Sequence, residues 1–76
     1  MISRLRRIVA KNIRSIRIKR ALTQEQLASK CKMHDNYISK VELGKVSIGI
    51  DNLSRVAKAL KIAPHLLLIP ESYKSE

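Results

Sequence analysis

Apolar residues recur at spacings of three and four along the first twenty residues, and many of the positions between them are basic. That spacing brings side chains to one face of an α-helix. It predicts a first helix over Ser3–Lys19, with an apolar stripe on one side and the basic side chains mainly elsewhere. The stripe consists of Ile2, Leu5, Ile8, Val9, Ile13 and Ile16.

Two short helices follow, and only two or three residues join them. Thr23 with Gln26 three positions later has the spacing of a capping box, in which each side chain accepts from the other residue's backbone N–H. This predicts a second helix over Thr23–Cys31. A third helix is predicted over His34–Leu43, with Gly44 placed to end it in a left-handed conformation.

Glycines and prolines divide the second half of the chain. Gly49 is suited to cap a fourth helix over Ile50–Lys61, and a proline suits the first position of a short fifth helix, Pro64–Ile69. No strand pattern is visible. The sequence therefore predicts an all-α, five-helix domain over residues 1–70, followed by a short tail over 71–76.

The net charge is +10, and most of it lies in the first 20 residues, which carry eight basic residues and no acidic residue. Such an excess favours a polyanionic partner, either a nucleic acid or an anionic membrane surface. Trp and Phe are absent, and only two Tyr occur. Amphipathic membrane helices and single-strand stacking platforms both use aromatic side chains, so duplex nucleic acid suits this composition better.

The residue types that usually carry catalysis are scattered. Two histidines fall in different predicted helices, and neither a glycine-rich phosphate loop nor metal-ligand spacing is present. We therefore expect no enzyme activity, no cofactor and no metal site. Cys31 is the single cysteine, so it forms no internal disulfide and suits a reducing cytoplasm. Its position predicts a small buried side chain more readily than a redox sensor.

The two short helices cannot be stable alone. Leu27, Met33, Ile38 and Val41 can form a small core between them, and helices 1 and 4 must cover the rest. For this reason residues 1–20 are assigned to the folded domain, although an Arg-rich, acid-free segment also describes a mitochondrial transit peptide. No apolar run approaches the length of a membrane span.

Five blocks stand at characteristic separations: Leu22–Ala28, Tyr37–Glu42, Gly44–Lys45, Asn52–Leu53 and Ala57–Leu60. Together they resemble the Xre, or lambda-repressor-like, helix-turn-helix family over roughly residues 8–69. The bare domain is most similar to the controller proteins of restriction–modification systems, and small phage repressors of the Cro type share the architecture. The resemblance implies a cytoplasmic, bacterial or phage-encoded transcription regulator that binds DNA. Lys32 stands at the turn position where glycine is usual, so we expect a left-handed non-glycine residue there.

In such folds the N-terminal turn of the second motif helix enters the major groove. Asn36 is suited to adenine and Lys40 to guanine, whereas Asp35 suits either cytosine or the positive end of the helix. His34 suits a phosphate or a capping contact, and Tyr37 suits the core or a sugar–phosphate contact. The predicted DNA-binding residues are Gln24, His34, Asp35, Asn36, Tyr37, Ser39, Lys40, Lys45 and Ser47.

Three of these residues are expected at the DNA backbone, where contacts position a protein without reading sequence. The resemblance implies this role for Gln24, at the start of helix 2. Lys45 and Ser47 lie in the loop after helix 3, where a second contact would fall, although a solvated loop charge is the alternative for Lys45. The resemblance also implies a structural ion pair between Arg17 and Glu42, so Arg17 is not counted as a DNA contact.

The apolar cluster Leu66, Leu67, Leu68 and Ile69 is too continuous for one short helix to bury against its own core. We expect a homodimer seam there, which would place two recognition helices about 34 Å apart on a pseudo-palindromic operator in double-stranded DNA. The same cluster also suits an antitoxin or adaptor that holds a partner protein. RNA polymerase is a further candidate partner, and a membrane is not expected.

Overall fold

The computed structural model describes residues 3–70, within which four α-helices precede a short 3₁₀ helix and no strand occurs. The α-helices are α1 (Arg4–Lys19), α2 (Gln24–Cys31), α3 (Asp35–Glu42) and α4 (Ile50–Leu60). The 3₁₀ helix spans Pro64–Leu68. The all-α prediction is confirmed for this range. The predicted tail over 71–76 lies outside the described residues.

The helix ends follow the local sequence signals. Ser3 Oγ accepts from the backbone N–H of Arg6 at 3.1 Å and caps α1. The predicted capping box of α2 is present, with Thr23 Oγ1 accepting at 3.0 Å and Gln26 Oε1 accepting at 2.9 Å. Gly44 follows α3 with a φ of 73°, the left-handed conformation predicted for it.

The prediction of a fifth α-helix is wrong, because residues 64–68 form a single 3₁₀ helix. Pro70 disfavours the helical conformation at the residue before it, and Ile69 is extended, with φ −94° and ψ 126°. In addition, Asn12 Nδ2 donates to the carbonyl oxygens of Leu67 at 2.9 Å and Ile69 at 2.7 Å. These hydrogen bonds hold the end of the segment against α1.

One apolar core joins all the elements, and it includes the face that α2 and α3 could not bury alone. Full burial of a Leu or Ile side chain is worth about 1.5–3 kcal/mol, so α1 and α4 contribute most of what holds the motif helices. The buried apolar residues are Val9, Ala10, Ile13, Ile16, Leu27, Ala28, Cys31, Ile38, Val41, Val56, Ala57, Leu60 and Leu67.

Leu67 has no exposed surface, so its predicted place in a dimer seam is wrong. It packs in the core of its own chain because the tight 3₁₀ turn directs it inward, beneath the hydrogen bonds from Asn12. Leu66 is half-buried, while Leu68 and Ile69 are exposed. Within residues 3–70, no helix has the length and apolar character needed to cross a bilayer.

Candidate nucleic-acid interface

The turn between α2 and α3 fixes the relative orientation of these two helices. Lys32 adopts the left-handed conformation predicted for it, with a φ of 59°. Its backbone N–H donates to Ser29 at 3.2 Å, and that of Met33 donates to Ala28 at 2.9 Å. Leu27 and Ile38 are fully buried between the helices. The pair therefore forms a rigid helix-turn-helix backed by α1 and α4.

One edge of α3 is polar and faces solvent. Asp35, Asn36 and Lys40 are exposed, and Ser39 is half-buried between them. Positions 36 and 40 are one helical turn apart, so both side chains project from the same edge. Ile38 and Val41, on the opposite side, are in the core. The edge has the dimensions and chemistry that a major groove admits.

His34 and Tyr37 flank that edge. His34 precedes the first turn of α3 in an extended conformation and is exposed, but its side chain makes no capping hydrogen bond. The capping alternative for His34 is therefore wrong, and a phosphate contact stays a prediction. Tyr37 is half-buried, and its hydroxyl accepts from Asn52 Nδ2 at 3.2 Å. This bond ties α3 to α4.

The ion pair between Arg17 and Glu42 is present and bidentate. Arg17 Nε donates to Glu42 Oε2 at 2.7 Å, and Arg17 Nη2 donates to Oε1 at 3.1 Å. The two side chains are only 11% and 2% exposed, respectively. Arg17 Nη1 also donates to the carbonyl oxygen of Leu22 at 2.8 Å. The guanidinium thus links α1 to the last turn of α3 and to the segment before α2.

Gln24 belongs to the same network. Its Nε2 donates to Glu42 Oε1 at 3.0 Å, a contact that the sequence gave no means of foreseeing. The side-chain amide carries a second N–H, so a phosphate contact by Gln24 stays a prediction. Asn52 was also not singled out from the sequence, because its contact with Tyr37 depends on how α4 crosses α3.

The loop between α3 and α4 carries the two other residues predicted at the backbone. Lys45 and Ser47 are both exposed there. The turn at the end of α3 is closed by backbone hydrogen bonds, from Gly44 to Val41 at 3.0 Å and from Lys45 to Lys40 at 2.9 Å. These bonds place the start of the loop beside the C-terminal end of the exposed edge.

Cys31 packs in the core, as its position predicted. Burial raises the pKa of its thiol above the ordinary value, and the positive charge of Arg55 lowers that pKa by a smaller amount. A raised pKa disfavours the thiolate, the form that reacts and binds metals. Among the described residues, no group of three or more His, Cys, Asp or Glu side chains is arranged to hold a metal ion.

Comparisons with known proteins agree with this geometry. The helix-turn-helix family HTH_3 matches residues 13–67. Control protein C.BamHI of Bacillus amyloliquefaciens is 35% identical over 69 residues, which cover 90% of this chain and 85% of that protein. The hypothetical transcription factor NHTF from Neisseria has a crystal structure with a TM-score of 0.86 and 34% identity, covering 92% of this chain and 80% of that chain.

A third similar structure is the restriction–modification controller protein C.Esp1396I, a tetramer in complex with its natural 35 base-pair operator. Its TM-score is 0.80 at 31% identity, and the match covers 86% of each chain. The resemblance seen in the sequence is thus confirmed. The chain belongs to the helix-turn-helix family HTH_3, and proteins named as restriction–modification controllers are among its homologues.

Proposed function

We propose that this protein is a sequence-specific regulator that binds double-stranded DNA as a homodimer and controls a restriction–modification operon. The observation that carries the proposal is the exposed polar edge of α3, with Asn36 and Lys40 one turn apart over a buried apolar face. The relatives support the biological setting, because C.BamHI is named a control protein and C.Esp1396I was crystallised on its operator.

Reading of base edges falls to Asn36 and Lys40. An Asn side chain pairs bidentately with adenine N6 and N7, and a Lys ammonium donates to guanine O6 and N7. Both side chains extend from a helix whose far end is fixed by the buried Glu42 carboxylate. Asp35 and Ser39 lie beside them, where Asp35 would accept from cytosine and Ser39 would serve either strand.

Contacts to the phosphate backbone would flank α3 on two sides. Gln24 begins α2 on one side, with His34 and Tyr37 near the start of α3. Lys45 and Ser47 lie in the loop on the other side. Such contacts fix the register of the protein on the duplex and carry no sequence information. We therefore expect their loss to weaken all duplexes alike.

A second copy of the chain would cover the apolar surface around the 3₁₀ helix. Leu68 and Ile69 are 39% and 45% exposed, and Leu5 and Ile50 nearby are 51% and 84% exposed. Leu5, Ile50 and Leu68 also line an apolar groove of about 280 Å³. A small domain buries too little surface to leave such a patch in water without a cost in stability, and a two-fold dimer would cover it.

The setting and output of the regulator follow from this function. It acts in the bacterial cytoplasm, where operator DNA lies. If it activates its own operon, it would contact RNA polymerase from a neighbouring site. In vitro transcription from the selected operator, with and without the protein, would distinguish activation from repression.

The experiment that tests the proposal is selection of bound duplexes from a random pool at two salt concentrations. We expect an enriched, pseudo-palindromic site whose half-sites lie about one helical turn apart. Affinity for that site should fall as salt rises, in proportion to the number of phosphates neutralised. Recovery of unenriched DNA at both salt concentrations would contradict the proposal.

A further inference from the structure

One face of α1 carries a row of positive charges that the helix-turn-helix does not use. Four exposed residues recur on it at spacings of three, four and three. Side chains at these spacings share a face, and the row extends for about 15 Å along the helix axis. We refer to this row as the basic stripe, which consists of Arg4, Arg7, Lys11 and Arg14.

The basic stripe is unfavourable for the helix that carries it. Like charges three and four positions apart repel each other. The first turn of α1 contains no acidic residue, so Arg4 and Arg7 lie against the positive end of the helix dipole. Departures from local preference of this kind concentrate at functional surfaces, where a partner offsets them. A row of uncompensated positive charge indicates a polyanionic partner.

The basic stripe adjoins the exposed edge of α3. Arg7, Lys11 and Arg14 line a shallow depression of about 310 Å³ together with Leu43 and Gly44. Leu43 follows Lys40 by three positions, so it continues the edge that carries Lys40. The positive surface therefore begins where the proposed reading surface ends.

The acidic residue at this depression is already paired. Glu42 also lines it, but both of its carboxylate oxygens accept hydrogen bonds, Oε2 from Arg17 and Oε1 from Arg17 and Gln24. Glu42 is therefore committed to the structural network and does not neutralise the face of α1. The charge of the basic stripe remains available to an outside partner.

We infer that the basic stripe is a second phosphate-binding surface, which contacts the DNA backbone beside the groove that α3 enters. This inference rests on the proposed function. A row of cationic side chains neutralises successive phosphates and releases their counterions. An acidic protein surface is a weaker match, because protein interfaces form around a buried apolar or aromatic centre. Leu43 is the one large apolar side chain among the residues that line the depression.

The test compares two pairs of charge removals that change the net charge equally. The first is the double variant Arg7→Gln with Arg14→Gln. The control is Lys58→Gln with Lys61→Gln, two exposed residues at the end of α4 opposite to Asn52. For each protein, the association constant is measured against salt concentration, on the selected operator and on a random duplex of equal length.

We expect the plot of log association constant against log salt for Arg7→Gln with Arg14→Gln to be shallower by about 1.8 than that of the wild type, on both duplexes. Between 50 and 200 mM salt the wild type would then lose about 12-fold more affinity than the variant. The control should change the slope by less than half as much. Arg7→Lys with Arg14→Lys, which keeps both charges, should keep the wild-type slope.

A slope for the Arg7 and Arg14 variant equal to that of the control would overturn the inference. Unchanged DNA binding combined with lost transcription by RNA polymerase would also overturn it, and would assign the basic stripe to an acidic protein surface. Circular dichroism establishes that each variant is folded, and the single change Arg14→Gln, expected to alter the slope by about 0.9, provides a milder test. A wild-type protein without sequence preference would instead contradict the proposed function.

Discussion

Lys32 has a positive φ although it is not glycine, as do Ala21 and Lys61. A side chain with a Cβ in the left-handed region costs roughly 1–2 kcal/mol, and glycine avoids most of that cost. Lys32 is exposed and contributes only its backbone N–H to the turn. The helix-turn-helix therefore folds with a strained residue at its centre.

Replacing Lys32 with glycine should raise the free energy of unfolding by about 0.5–1 kcal/mol, because relief of strain outweighs the added freedom of the unfolded chain. Urea unfolding followed by circular dichroism measures the change. The matched control is Lys30→Gly inside α2, which should lower stability by about 1 kcal/mol. A loss of stability in the Lys32 variant as large as in the control would contradict the account.

The thiol of Cys31 should make the protein less stable in alkali. Its pKa is raised in the folded state by burial, so its contribution is fully present below the pKa of the unfolded chain and is lost as pH rises through the folded pKa. Above about pH 8.5, the unfolded chain releases a proton that the folded chain retains, and the free energy of unfolding falls.

Unfolding of the wild type and of Cys31→Ala, measured from pH 7 to pH 10.5 with reductant present, isolates this effect from the titration of Lys and Tyr. The difference in stability between the two proteins should be constant below about pH 8.5 and should shrink above it. A difference that stays constant throughout would show that burial does not perturb this thiol.

At the scale of elements, α1 and α3 depend on the ion pair between Arg17 and Glu42. Removing one partner of a buried pair leaves the other charge without compensation, which costs about 3–5 kcal/mol. Replacing both partners with apolar residues of similar size is far less damaging. Because Gln24 shares the carboxylate of Glu42, the pair also fixes the start of α2.

Arg17→Met should therefore lower the free energy of unfolding by about 3–5 kcal/mol, and Arg17→Met with Glu42→Leu should recover much of that loss. Urea unfolding of the two singles and the double completes a double-mutant cycle. Stability losses that simply add in the double variant would indicate that the two side chains do not interact energetically.

The elements that were predictable are those with a local cause. The capping box at Thr23 and the left-handed Gly44 depend on residues within a few positions of each other, and both are present. The 3₁₀ helix was mistaken for an α-helix because its geometry depends on Asn12, more than fifty residues away. The hydrogen bond from Gln24 to Glu42 likewise joins separate helices, and spacing in the sequence carries no such information.

At the scale of the molecule, the site could be predicted only as a surface. The periodicity that buries Ile38 also exposes Asn36 and Lys40, so their position followed from the sequence. The dimer seam was less predictable, since Leu67 in the middle of an apolar run packs inward while Leu68 and Ile69 face out. Which residue of a short run faces the core depends on helix type, which the run does not specify.

Dimerisation should depend on Leu68 and Ile69. Leu68→Ser with Ile69→Ser removes apolar area that a second copy would cover, so the dimer should dissociate at lower dilution than the wild type. Sedimentation velocity over a concentration series measures the dissociation constant. Leu43→Ser is the matched control, because Leu43 is 62% exposed but lies at the end of α3. Equal weakening by the control would contradict the predicted seam.

The central claim is that the exposed edge of α3 reads base sequence, and Asn36→Ala tests it most directly. Binding of this variant is measured on the selected operator and on a random duplex of the same length and salt concentration. The account predicts a loss of about 1–3 kcal/mol per half-site on the operator and little change on random DNA. Equal losses on the two duplexes would show that Asn36 contacts only the backbone and would contradict the account.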